Sequence, residues 1–167
     1  MNYLKVMITG HRPQFFSREE AEWTRKALLS VMTKLCDEFG MEEAISGTAL
    51  GVDTWWAETA LYLGVPFAAY IPFEGQFSRW SFSDQEKWVS LREMAEREVV
   101  FGQSYSVGLL HARNDGMIRD SDLCVAVWNP EKTSGGTFSA VQKIRKTGKP
   151  VVYIDPKSRK THSENLF

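Results

Sequence analysis

The chain lacks an excess of charge of either sign, is poor in cysteine and has no long apolar run. Its 20 basic residues stand against 21 acidic ones, for a net charge of −1. No global field gathers a polyanion, so nucleic acid is not the expected partner. The two cysteines, Cys36 and Cys124, lie far apart in an apolar helix pattern and an apolar strand pattern, with neither CxxC nor His-Cys spacing. No metal site is read from them, no cofactor is expected, and both read as buried thiols of a cytosolic protein. No stretch approaches the ~18 apolar residues of a membrane span. The opening "MNYLKVMITG" enters a strand without the apolar region and cleavage site of a secretory signal. A cytoplasmic protein with no membrane partner is expected.

What is present is enough for one core. At 167 residues and 43% hydrophobic composition, the length fits a single domain of roughly 100–200 residues. Strand and helix patterns alternate along it. "YLKVMITG" is an apolar, β-branched run ending at Gly10. A helix follows with Ser17 as N-cap, Ala21, Leu28, Val31, Met32 and Leu35 at helical spacing, and Gly40 as its stop. "MEEAISG" is a second strand, and a helix from about Val52 to Leu63 ends at Gly64-Val65-Pro66. "VPFAAYIPF" is the third strand. Residues 74 to 82 break the periodicity before a helix around "SDQEKWVSLREMAER". Then come "EVVFG" as a strand, "LLHARNDGMIRDS" as a short helix, "DLCVAVWN" as a strand, "GTFSAVQKIRKTG" as a helix and "PVVYID" as the last strand. Several strands are continuous apolar runs, which implies burial on both faces. The expectation is a single α/β, Rossmann-like domain over 1–155, with a mostly parallel sheet of about six strands and helices on both faces. Residues 156–167 are expected to form a polar C-terminal tail that frays.

In such a sheet, ligands bind beyond the carboxyl ends of the strands, where the strand order reverses. Three small-residue loops fall there: Thr9-Gly10-His11-Arg12 after the first strand, Ser46-Gly47-Thr48 through Gly51 and Asp53 after the second, and Ser134-Gly135-Gly136-Thr137 after the fifth. Glycines let backbone N–H groups approach a phosphate, and the N-terminus of the following helix adds positive potential. Each loop alone also reads as an ordinary tight turn; three in register point to a phosphate cradle.

The stretches "MITGHRP", "SGTALGVDTWWAETA", "IPFEGQFSRW", "RNDGMIRDSDLCVAVWN" and "SGGT", in that order and spacing, resemble the YpsA-like branch of the SLOG superfamily, from about residue 4 to 154. That superfamily also includes the Smf/DprA proteins and the LOG phosphoribohydrolases. The resemblance implies a Rossmann-like fold and a pocket for a nucleotide or nucleotide-derived ligand, ADP-ribose-like compounds among them. It implies no particular activity, because the relatives include enzymes, DNA binders and signal sensors.

Within these motifs, Arg12 could take a phosphate bidentately and His11 could donate to a ribose or phosphate oxygen; the alternative for both is surface ion pairing. Asp53 is placed to cap the following helix or to accept ribose hydroxyls, while direct phosphate contact would be repulsive. Glu58, more than a turn further on, reads as a solvated face. Of Trp55 and Trp56 at least one belongs to the core. The loop carrying Phe77, Arg79, Trp80 and Phe82 suits stacking on a base, or equally a hydrophobic flap or a contact in a homo-oligomer. Arg113 and Met117 share a helix face, with Asn114 beside them.

In the LOG enzymes an Arg in a comparable helix and a Glu in a "GGxGTxxE" loop carry N-glycoside hydrolysis. Arg113 resembles the first, but Ala140 stands where the Glu would be. Cleavage of that bond needs a carboxylate to activate water or stabilise a cation. The leading expectation is therefore a non-enzymatic or weakly enzymatic binder of a nucleotide or ADP-ribose-like molecule, acting as a sensor or sequestering protein. A nucleotide N-glycosidic hydrolase with its acid elsewhere is the second reading. Single-stranded DNA binding through Arg12, Arg79, Trp80 and Arg113 is the third.

Overall fold

The computed structural model describes residues 3–166. Seven strands alternate with five helices: β1 (Lys5–Gly10), α1 (Arg18–Phe39), β2 (Glu43–Ser46), α2 (Val52–Leu63), β3 (Phe67–Ile71), α3 (Phe82–Met94), β4 (Arg97–Val100), α4 (Val107–Asp120), β5 (Leu123–Val127), α5 (Gly136–Thr147), β6 (Val151–Asp155) and β7 (Lys160–Glu164). A 3₁₀ turn, Pro13–Phe15, follows β1. Among the described residues no helix is long and apolar enough to cross a membrane.

The sheet order is β4-β3-β2-β1-β5-β6-β7, with every pair parallel except β6–β7. The chain winds outward from β1 to β4, then crosses back through α4 to pair β5 on the other side of β1. Strand order thus reverses between β1 and β5. Neighbouring residues of β1 show why its sequence is continuously apolar: Val6 and Ile8 join one core with Leu28, Met32 and Trp56, while Met7 joins a second with Met117, Val141 and Ile144. Both faces of the strand are covered, as for a parallel sheet between helical layers.

Local signals set the helix ends. At α1, Ser17 Oγ accepts from the Glu20 N–H at 3.1 Å while the Glu20 carboxylate accepts from the Ser17 N–H at 2.8 Å, a reciprocal capping box. The helix stops at Gly40, in the left-handed region at φ 71°. Trp55 and Trp56 are both core residues. Gly10 lets β1 run against the start of α2: a Cβ there would lie 2.6 Å from Val52 Cγ1.

The structure corrects two expectations. The polar tail does not fray, because Lys160–Glu164 adds an antiparallel edge strand. His162 stacks on Tyr153 at 4.8 Å, and Glu164 accepts from Arg145 Nη2 at 2.9 Å. Cross-strand pairing thus supplies what the polar sequence lacks in apolar burial. The helix expected around 83–97 ends at Met94, since Ala95 is already extended and Arg97 pairs into the sheet.

Candidate ligand-binding site

At the reversal of strand order a cleft of about 710 Å³ opens over the carboxyl ends of β1 and β5. Its parts come from four places: Thr9 through Arg12 with Gln14 and Phe15 after β1, Ala49 and Asp53 around the start of α2, one face of α4, and Glu131–Thr137 leading into α5. On α4 the residues concerned are Val107, Leu110, His111, Arg113, Asn114 and Met117, which recur at three- and four-residue spacing and so form one stripe.

The start of α5 is open and has no side-chain cap. Gly135 precedes the helix at φ 92° and no side chain caps it. The first backbone bond is donated by Ser139, to Gly135 O at 3.0 Å. The N–H groups of Gly136, Thr137 and Phe138 are therefore among the donors that a helix leaves unpaired at its start. No atom lies within 4 Å of where a Cβ on Gly135 or Gly136 would be, so the space above them is open. No acidic residue occupies the first turn, and Lys132 lies three residues before Gly135. The unpaired donors and helix dipole attract negative charge there.

The Arg12 side chain is exposed and forms no ion pair or hydrogen bond with the described residues, so the alternative of surface ion pairing is not realised for it. Arg113 is its opposite: only 8% exposed, it donates from Nη1 to Gly47 O at 2.6 Å and from Nε to Asn114 Oδ1 at 2.9 Å. Its Nη2 has no protein acceptor among the described residues. Asp53 is equally buried. Burial raises its pKa to about 6, against the opposing pull of Arg113, the Ala49 N–H and Arg12. Burial also lowers the pKa of Arg113, with Asp53 acting in the other direction. Loss of water thus outweighs attraction for both members, although the guanidinium itself stays charged at any ordinary pH. Burial, and then the nearby Lys132, lower the pKa of His11, and its Nε2 is buried without a hydrogen-bond partner among the described residues.

Several expected site residues lie off the cleft. Ser46 is fully buried, donating to Asp53 O at 2.8 Å. Gly47 turns its carbonyl to Arg113. Thr48, at φ 63°, directs its hydroxyl to Gln76 and the Gly47 carbonyl. Gly51 serves as the N-cap of α2. Asp53 is not that cap: it stands second in the helix, and its Oδ2 accepts from the Ala49 N–H at 3.2 Å. The Ser46 and Thr48 hydroxyls and the Gly47 carbonyl are thus engaged by Asp53, Gln76 and Arg113. Arg79 and Trp80 belong to the turns before α3, where Trp80 packs against the first core. Thr9, Gly10, His11, Arg12, Asp53, Arg113, Asn114, Met117, Ser134, Gly135, Gly136 and Thr137 do line the cleft.

Of the carboxylates that could act in place of Ala140, Asp53 alone among Asp53, Glu58, Glu74 and Asp115 lines it. Glu58 pairs with Lys87, Glu74 with Arg92, and Asp115 with Lys143. Ala140 itself is buried in α5. No group of three or more His, Cys, Asp or Glu among the described residues could hold a metal ion. Among the lining residues that sequence reasoning missed are Gln14, Phe15, Val107, Leu110, His111 and Lys132; for those on α4 the three- and four-residue spacing was the available signal.

The fold and the cleft together define a Rossmann-like α/β domain with a ligand-sized opening at its topological switch point. The chain belongs to the YspA SLOG family, whose model matches residues 6–158. It is 26% identical over 140 residues to a UPF0398 protein of Shouchella clausii, covering 76% of this chain and 74% of that one. Against a UPF0398 protein of Staphylococcus aureus it is 23% identical over 145 residues, covering 80% and 77%. Among solved structures, DNA processing protein A (DprA) from Streptococcus pneumoniae aligns with TM-score 0.65 at 18% identity, covering 92% of this chain. The chain spans only 50% of that protein's length. The molybdenum cofactor carrier protein of Chlamydomonas reinhardtii aligns with TM-score 0.56 at 17% identity, over 90% of this chain and 76% of that one. At these identities the structural likenesses establish the fold.

Proposed function

We propose that this chain binds a nucleotide or a nucleotide-derived, ADP-ribose-like molecule, with its phosphate at the start of α5, and that it acts as a sensor or sequestering protein. The observation that carries this reading is the uncapped, glycine-opened N-terminus of α5 in a cleft that Arg12 enters with no carboxylate partner. Backbone donors and a guanidinium with no protein acceptor form the surroundings that bind phosphate in helix-terminus sites. In this reading the loop of Gly47 to Gly51, whose Gly47 carbonyl and Thr48 hydroxyl are engaged by Arg113 and Gln76, supports the floor of the cleft while the start of α5 takes the phosphate. The test is a thermal-shift panel of nucleoside monophosphates, ADP-ribose and inorganic phosphate, with the same tubes analysed for free base. Stabilisation by intact nucleotide supports the reading; no stabilisation by any of them removes it.

A second reading, N-glycosidic hydrolysis, is favoured by Asp53. It is a carboxylic acid with a pKa of about 6 in the cleft, in the range suited to general acid–base work near neutral pH. Free base in those tubes would support it. A single-stranded DNA reading rests on likeness of fold to DprA alone. Of the residues it requires, Arg79 and Trp80 lie apart from the cleft holding Arg12 and Arg113; oligonucleotide retention that falls with salt would favour it.

A further inference from the structure

The stripe of α4 that lines the cleft changes character along its length. Val107, in the first turn, is 56% exposed, whereas Arg113 and Met117, two to three turns on, are buried. At 1.5 Å per residue Val107 and Met117 stand about 15 Å apart along the axis, so the cleft runs from an exposed apolar mouth to a buried floor where Arg113 and Asp53 supply the polar groups. Phe15 lines the same cleft and is 52% exposed. It is carried on a turn opened by Pro13, with its ring 5.9 Å from that of His11. Lys132 Nζ lies 4.6 Å from the Phe15 ring centroid, which ties this aromatic to the loop that leads into α5. Gln14 and His111 also line the cleft, and their side chains make no hydrogen bond to the described residues. Between them they offer an amide donor, an amide acceptor and an imidazole.

Exposed apolar side chains at the mouth of a cleft with a polar floor mark a surface that a ligand covers. We infer that Phe15, Val107 and Leu110 form the platform for a heterocyclic base, with Gln14 and His111 available to its polar edge, so that the ligand is a nucleoside phosphate and not a sugar phosphate. The inference rests on the proposed phosphate site at α5 and adds to it. A sugar phosphate has no flat apolar face to set against Phe15, while every base has one. Stacking of one base on an aromatic side chain changes affinity by about 10-fold or more.

The test is isothermal titration of the intact chain with AMP and with ribose 5-phosphate, on wild type, Phe15→Ala and Phe15→Leu. Phe15 is half exposed, so both variants are expected to keep the wild-type melting temperature. In wild type, AMP binds at least about 10-fold more tightly than ribose 5-phosphate. Phe15→Ala removes most of that difference by weakening AMP alone, and Phe15→Leu restores only part of it. Equal affinities in wild type, or equal weakening of both ligands by Phe15→Ala, overturn the base platform and leave the phosphate site standing. If neither ligand binds, both fall together.

Discussion

Arg113 Nη1 donates a 2.6 Å hydrogen bond to the carbonyl oxygen of Gly47, joining the middle of α4 to the loop after β2. The same guanidinium bears electrostatically on Asp53 at the start of α2. One buried cation therefore ties three parts of the chain into the floor of the cleft, close to where β1 and β5 diverge. Removing one member of such a buried, hydrogen-bonded set leaves the others uncompensated, which is costly in a low-dielectric site.

The first expectation concerns Gly47. A Cβ there would stand 2.9 Å from Asp53 Oδ2 and 3.0 Å from Arg113 Nη1, and both groups are held in place by other bonds. Gly47→Val should destabilise the fold by about 1–3 kcal/mol, as overpacking does. Thermal unfolding by circular dichroism checks this through a loss of several degrees; an unchanged melting temperature would mean that the floor is soft.

Asp53 should titrate abnormally. Its folded pKa of about 6 lies above the 3.8 of an unperturbed aspartate, so the native state holds the proton more tightly than the unfolded chain. The stability this contributes is present below pH ~4 and is lost as pH rises through about 6; the shift of roughly two pKa units sets an upper figure of about 3 kcal/mol. Urea titrations of wild type and Asp53→Asn between pH 4 and 8 should give stability curves that diverge across that window and run parallel above it. Carboxyl carbon NMR should place the midpoint near 6, and Arg113→Met should move it higher, because the favourable cation is gone.

Arg12 separates binding from folding. It is exposed and unpaired, so Arg12→Gln should leave the melting temperature of the free protein within about a degree. A charge-assisted hydrogen bond to phosphate is worth about 1.5–3 kcal/mol, so the variant should bind AMP or ADP-ribose about 10- to 100-fold more weakly. Calorimetry on both proteins reads the ratio.

Turnover distinguishes the two functional readings. With Ala140 in place of a carboxylate, wild-type protein should release no free base from nucleoside monophosphates at the ~1 s⁻¹ or more of an ordinary enzyme. If chromatography finds such a rate, Asp53 is the acid to suspect, and Asp53→Asn should then lower it by about 10²- to 10⁴-fold.

Much of the architecture was legible because local chemistry and global fold agree. Ser17, Gly40 and Gly64 mark helix ends at the positions where the structure has them, and continuous apolar strands announced a sheet covered on both sides. β7 was not legible: Lys160–Glu164 is polar, and its place comes from pairing with β6 and the contacts of His162 and Glu164, which only the folded neighbours supply. At the cleft, the loops after β1 and β5 read correctly as facing one edge. In the loop after β2, Ser46-Gly47-Thr48 has the composition of a phosphate loop, and what the sequence did not reveal is that its hydroxyls and the Gly47 carbonyl bond to Asp53, Gln76 and Arg113. Phe15 escaped notice since an exposed apolar residue carries no sequence mark distinguishing it from a core one, and Val107 because it lies two residues ahead of the helix pattern read from Leu109.

The most direct measurement is a map of backbone amide shifts in ¹⁵N–¹H NMR spectra as AMP or ADP-ribose is titrated into the intact protein. The expected result is that the largest changes fall at Gly136, Thr137 and Phe138, whose N–H groups open the cleft at the start of α5, with smaller changes at Arg12. Saturable binding that leaves those amides unmoved, with shifts confined to α3 or to the β6–β7 edge, would contradict the phosphate site and with it the proposed function.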